Sequence, residues 1–188
     1  MPAGGGAAPL RLLGISGSLR AGSSNTAIIH TAALVAPEGV VVDVYAGIAT
    51  LPFFSPDLDR ELDDPALPAP VRAMRAAVAG ADGLVISSPE YAHGVPGVLK
   101  NALDWLVGGP EMVDRPVLLL NTSSHSVHAQ ASLAETLRTM SARLVTPATI
   151  DLPRGGPMLD PGALAADPSI GPRLALALGA LVAAITRR

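Results

Sequence analysis

Residues 84–106 read Leu-Val-Ile-Ser-Ser-Pro-Glu-Tyr-Ala-His-Gly-Val-Pro-Gly-Val-Leu-Lys-Asn-Ala-Leu-Asp-Trp-Leu, and this stretch decides the fold. It opens on a short, unbroken apolar run, the pattern of a buried strand. Ser, Pro, Tyr, His and Gly then crowd residues 87–95, which is turn chemistry. A helix follows from Pro96, whose fixed φ suits the first helical position. Leu99, Leu103 and Leu106 share the inward face of that helix, and Trp105 packs. Lys100 and Asp104 form an i, i+4 pair on its surface. Sheets built from such strand–turn–helix units hold ligands at the turns, beyond the carboxyl ends of the strands. Tyr91, set among small residues in this turn, offers a flat ring to a flat ligand.

The same unit recurs on both sides. Leu10–Ser16 is an apolar run between a Gly/Pro-rich leader (residues 1–9) and a Gly/Ser turn, and reads as the first strand. Asn25–Val35 is helical, and Val40–Tyr45 is a β-branched second strand. Residues 46–66 read as loop, with three prolines and five acids between Asp57 and Asp64. A helix over 69–79, a third strand over 84–87 and the helix from Pro96 follow. Val117–Asn121 is the fourth strand. Leu133, Leu137, Met140 and Leu144 recur at one-face spacing and predict a helix over 127–143, before a fifth strand over 144–150. Residues 153–170 read as loop, and 171–185 as the last helix.

Short, fully apolar strands alternating with helices imply an α/β fold with a parallel sheet covered on both faces. Five strands fit the flavodoxin-like doubly wound sandwich, order 2-1-3-4-5, whose switch point lies between strands one and three. With 188 residues and no internal repeat, residues 10–188 read as a single domain. The net charge of −3 argues against nucleic-acid binding, which wants a basic face. The chain has no cysteine, so thiolate nucleophiles, thiolate metal sites and disulfides are excluded. The leader lacks the basic and apolar regions of a signal peptide, and no stretch reads as a membrane span. A cytoplasmic protein is the expectation.

The loop after the first strand carries the second set of chemistry. Gly14-Ile-Ser-Gly-Ser-Leu-Arg-Ala-Gly-Ser-Ser-Asn25 offers hydroxyls at Ser16, Ser18, Ser23 and Ser24, the Asn25 amide and the Arg20 cation. Gly17 and Gly22 let the backbone turn N–H groups inward, and the next helix adds the positive end of its dipole. A phosphate dianion calls for this set. A nucleoside-triphosphate loop needs G-x-x-x-x-G-K-[ST], but Ser23 stands where its Lys belongs. The dinucleotide pattern G-x-G-x-x-G and the G-x-S-x-G elbow of serine hydrolases are missing. A single terminal phosphate fits best. The blander alternative is a polar turn capping the helix through Ser24 or Asn25.

Taken together the two loops resemble a known family. Gly17-Ser-Leu-Arg-Ala-Gly-Ser-Ser-Asn25 is similar to the G-S-x-R-x-x-S-x-N motif of the NADPH-dependent FMN reductases, a flavodoxin-like family of flavin, quinone, azo-dye and chromate reductases. Pro89-Glu-Tyr…Pro-Gly-x-Leu-Lys-Asn-Ala-Leu-Asp-Trp105 resembles its second signature, and Leu51-Pro-Phe-Phe-Ser-Pro-Asp-Leu58 its segment after strand two. The resemblance implies FMN as cofactor and NADPH or NADH as co-substrate. Hydride would pass through the flavin to a small-molecule electron acceptor in a ping-pong scheme, with no catalytic side chain and no metal. It puts Ser18, Arg20, Ser23 and Asn25 in the family's phosphate positions, and Ser16 and Ser24 add the remaining hydroxyls of the same loop as cofactor-binding candidates. Pro89, Glu90 and Tyr91 fall on the ring side; Ala92, His93 and Gly94 of the same loop are further cofactor-binding candidates, and so, from their place in the loop after strand four, are Thr122, Ser123 and His125, the last at the pyrimidine edge of the flavin. Ala92 and Gly94 stand where the family pattern has Asn and Ser. A homodimer or homotetramer is also implied, and Phe53 and Phe54 would cover the flavin or pack a partner subunit. An FMN-binding electron carrier and a flavin sensor without turnover are the alternatives.

Overall fold

The computed structural model describes residues 8–59, 67–152 and 159–187; the segment 1–7 of the expected leader lies outside them. β1 (Leu10–Ser16), α1 (Ser24–Leu34), β2 (Val40–Val44), α2 (Ala69–Ala79), β3 (Gly83–Ser87), α3 (Gly97–Val107), β4 (Pro116–Asn121) and α4 (His128–Thr139) alternate as expected. They are followed by β5 (Arg143–Leu144), β6 (Ala148–Thr149), α5 (Pro161–Ala166) and α6 (Gly171–Thr186). The strands are all parallel, in the order β2-β1-β3-β4, with β5 and then β6 along the outer side of β4. This is the doubly wound order 2-1-3-4-5.

The expected fifth strand is broken in two. Arg143 pairs with Pro116 and Leu144 with Val117, but Ala148 pairs with Leu120 and Thr149 with Asn121. One residue therefore bulges between the two ladders. Pro147 explains the break, since it brings no N–H to the ladder and fixes its own φ. The bulge shifts the pairing without ending it, because Val145 N–H donates to Val117 O (2.9 Å) and Ile150 N–H to Asn121 O (2.8 Å).

Helix α4 ends earlier than its apolar spacing suggests. Ser141 takes φ 61°, and Ala142 N–H donates back to Leu137 O (3.0 Å), which closes the helix with a left-handed turn. Leu144 therefore extends the apolar row from a strand. The segment read as loop after residue 153 contains α5, capped by Asp160 with Pro161 behind it. Asp-Pro before an Ala-rich run is a start signal that the loop reading passed over.

Alternate strand residues feed two cores. Leu13, Ile15, Leu84, Ile86, Val117 and Leu119 pack against α2, α3 and α4. Leu12, Val42, Val85, Leu118 and Leu120 pack against α1, α5 and α6. Burying each such side chain contributes about 1.5–3 kcal/mol relative to exposure. A third, smaller cluster joins Leu67, Val71 and Trp105 to Phe54. Two tight turns, Gly47–Thr50 and Pro56–Leu58, structure part of the long loop after β2. Asn101 then pins that loop to α3: its Oδ1 accepts from Phe54 N–H (2.8 Å), and its Nδ2 donates to Pro52 O (2.9 Å).

Candidate functional site

Ser16 and Ser87 are register partners at the ends of adjacent strands, so the loops after β1 and β3 leave the sheet side by side. Gly17 N–H donates to Ser87 O (2.8 Å) and extends the pairing one step further. A Cβ on Gly17 would lie 3.0 Å from Leu99 Cδ2 and 3.2 Å from Ser88 Oγ, so a larger residue would make those side chains shift, and glycine lets this loop pass close to α3. The switch point is therefore where the sequence places it.

Most of the serines in the first loop build the loop itself. Ser16 Oγ bonds Thr26 Oγ1 (2.8 Å), and Ser18 Oγ accepts from Arg20 N–H (3.3 Å). Ser23, rather than Ser24 or Asn25, is the N-cap of α1, its Oγ accepting from Thr26 N–H (3.3 Å). Arg20 is exposed and forms no ion pair among the described residues, and a Cβ on Gly22 would meet nothing within 4 Å. The N–H groups of Ser24 and Asn25 lie in the first turn of α1, where no intrahelical acceptor exists. The cradle thus keeps a free guanidinium, open space and helix-end donors.

Asn25 is buried, and its Oδ1 accepts from Ser87 Oγ (2.8 Å) and from Thr122 Oγ1 (3.4 Å). One side chain at the start of α1 therefore ties together the end of β3 and the residue just after β4. Ser87 is fully buried and was missed by sequence reasoning. Its only signal was a hydroxyl at the end of an otherwise apolar strand.

The loop after β3 is a tight hairpin. Tyr91 N–H donates to Gly94 O (3.1 Å) and Gly94 N–H to Tyr91 O (2.9 Å). Between them Ala92 (φ 49°) and His93 (φ 60°) both adopt left-handed backbone. Two consecutive positive φ values define the turn that Asn-Gly prefers, and neither residue here is suited to it. Each costs about 1 kcal/mol. Replacing Ala92 by Asn should raise the unfolding free energy by about 0.5–1 kcal/mol, read as a higher urea midpoint. The hairpin carries Tyr91 outward, with 56% of its surface exposed. Pro89 and Glu90 are half-buried at its base, and Glu90 Oε2 accepts from Ala129 N–H (2.8 Å) on α4. Pro96 lies one residue earlier than expected, at the cap of α3.

The loop after β4 closes on itself. Ser123 N–H donates to Asn121 Oδ1 (3.2 Å), Ser126 N–H to Ser123 O (3.0 Å) and Ser124 N–H to Asp151 Oδ1 (2.5 Å). His125 is exposed at its tip. His128 opens α4 and stacks on His93, with ring centroids 4.2 Å apart and planes 26° apart. Burial pushes the Tyr45 phenol up, and the hydroxyl and N–H of Ser169 hold the Asp167 carboxyl down.

A sequence profile of the NADPH-dependent FMN reductases matches residues 10–155, which cover the whole sheet and all three loops. The chain belongs to this family. As an NADPH-dependent FMN reductase family member it is 38% identical over 116 residues to a quinone reductase of Escherichia coli, covering 61% of this chain and 60% of that enzyme. It is 35% identical over 133 residues to an NAD(P)H-dependent FMN reductase of Pseudomonas aeruginosa, covering 68% of this chain and 69% of that one. The chain thus aligns with about 60% of the length of the first of these relatives. Among solved structures, the flavoenzyme NAD(P)H:(acceptor) oxidoreductase of Paracoccus denitrificans superposes with a TM-score of 0.67 at 23% identity, covering 94% of this chain and 96% of that one. At that identity the likeness concerns the fold. This member of the family has the flavodoxin-like sheet order, with its outer strand bulged.

Proposed function

We propose that this chain is an FMN-dependent oxidoreductase that takes hydride from NADPH or NADH and delivers it to a quinone, a flavin or a similar small acceptor. One observation carries the reading: an open, cationic, donor-rich loop and an exposed tyrosine hairpin rise side by side at the switch point of the sheet. The first fits a phosphate and the second a planar ring, and FMN has both at its two ends. Family membership and the quinone and FMN reductases among its relatives support the same reading.

Arg20 and the first N–H groups of α1 would hold the phosphate, assisted by the Ser18 hydroxyl. The Asn25 amide, fixed through its oxygen, has its nitrogen left for the ligand. Pro89, Tyr91, Ala92, His93 and Gly94 would line the ring, with Thr122, Ser123 and His125 at its pyrimidine edge. When bound, FMN would supply the two-electron hydride chemistry. The chain's part is to place the ring with one face open, so that nicotinamide and acceptor occupy the same ground in turn. That is a ping-pong order. No side chain in the three loops is required as a proton donor for it.

Among the described residues no helix is long and apolar enough to cross a membrane. A homodimer or homotetramer working in the cytoplasm, where NAD(P)H is at hand, completes the proposal. Phe53, 91% exposed, would then lie at a subunit contact or over the flavin, while Phe54 packs edge-on against Trp105 with centroids 5.1 Å apart. The test is direct. Protein mixed with FMN and passed through a desalting column should retain the flavin absorption bands and should oxidise NAD(P)H when a benzoquinone is added. Protein that emerges colourless and inert overturns the reading.

A further inference from the structure

Helix α4 begins without a cap of its own. Val127 occupies the cap position, has no side-chain acceptor and adopts φ −93°, ψ −37°. The acceptor comes from 39 residues away in the sequence, where Glu90 Oε2 receives Ala129 N–H at 2.8 Å. A carboxylate at a helix N-terminus is favoured twice, by the charge-assisted hydrogen bond and by the helix dipole. Glu90 is half-buried at the base of the Tyr91 hairpin, so the bond spans from the loop after β3 to the start of α4, into which the loop after β4 leads. A second contact lies alongside it, the His93–His128 stack at 4.2 Å. The hairpin is held in its left-handed turn between these two contacts.

We propose that Glu90 is a positioning residue that does not touch the flavin: by capping α4 it fixes the two ring-side loops at one separation. The proposal rests on the FMN reading above and adds to it a role for a carboxylate that the sequence placed against the ring. Loss of Glu90 would loosen the ring-side wall and leave the phosphate loop intact. Its signature therefore differs from that of a phosphate ligand.

The experiment titrates wild type, Glu90→Ala and Glu90→Gln with FMN, riboflavin and lumiflavin, the last having neither ribityl chain nor phosphate. Asp160→Ala is the control, removing a carboxylate cap of α5 (Oδ2 to Ala163 N–H, 2.7 Å) from another helix. Glu90→Ala should weaken all three ligands alike, by about tenfold, the size of a lost charged cap. Glu90→Gln keeps an oxygen acceptor and should recover most of the affinity, and Asp160→Ala should bind lumiflavin as wild type does. Amide exchange at Ala129, measured without flavin, should quicken in Glu90→Ala and less in Glu90→Gln. Glu90→Asp, a methylene shorter, replaces the alanine variant if that does not fold. Unchanged lumiflavin affinity, unchanged exchange at Ala129, or a Gln variant no better than Ala overturns the positioning role alone. Wild type that binds none of the three flavins overturns the proposed function and this inference with it.

Discussion

Replacing Asp59 by Ala is expected to lower the unfolding free energy by about 3 kcal/mol, at the low end of the range for a broken buried ion pair. Arg75 and Asp59 are 6% and 8% exposed, and Arg75 Nη2 donates to both carboxylate oxygens (2.8 and 2.9 Å). Arg75 also bonds Trp105 O through Nε (3.0 Å) and Nη2 (2.8 Å), which locks the guanidinium in place. Without Asp59 the cation stays buried, with Glu111 Oε1 at 4.0 Å as the nearest described acid. That residual partner keeps the cost from being larger. Chemical denaturation reads the effect directly. A double variant, Asp59→Ala with Arg75→Met, should recover most of the loss, because it removes the stranded charge. The exposed Arg11–Asp43 pair (2.5 Å) is the contrast: breaking it should cost less than about 1 kcal/mol. If Asp59→Ala unfolds at the wild-type urea midpoint, the pair does not hold the loop after β2 to α2.

The second large effect concerns binding. Arg20→Ala should weaken FMN by about 10- to 100-fold and riboflavin by less than about threefold. The reasoning follows from what the structure leaves unspent. Ser16, Ser18 and Ser23 already serve the backbone of their own loop, whereas Arg20 is exposed and has no acid partner among the described residues. A guanidinium–phosphate contact is charge-assisted, and riboflavin has no phosphate to lose it. Fluorescence titration separates the cases. Equal losses for both ligands would mean that Arg20 shapes the loop and does not bind the phosphate. Because Arg20 is exposed, the difference between the two ligands should also shrink at high salt.

How much of this was legible beforehand depends on which signals are local. The strand order followed from β1, β3 and β4, whose apolar runs end in turns, and Leu99, Leu103 and Leu106 do face the core. The two loops were found by composition and motif. Side-chain roles inside them were not. Ser23 is the cap of α1, where the alternative reading of the loop had named Ser24 or Asn25. Glu90 reaches across to α4, and Asn25 joins the start of α1 to the ends of β3 and β4. Each of these depends on a partner 3 to 97 residues away, and sequence spacing is silent on which acceptor a hydroxyl or carboxylate finds. The broken outer strand was written in Pro147 and overlooked because the surrounding β-branched residues read as one run. The left-handed Ala92-His93 turn had no such signal, since neither residue favours positive φ.

That broken strand has a bearing on how the protein behaves in a crowded solution. In a chain of which 49% of residues are hydrophobic, a long regular edge strand would offer neighbouring molecules a place to add strands of their own. Here the outermost rung is two residues, a bulge with Pro147 in it, then two more. A stranger's backbone finds neither a straight row of donors nor a constant register to copy. The proline that costs the sheet its regularity thereby helps keep one copy of the molecule from polymerising with the next.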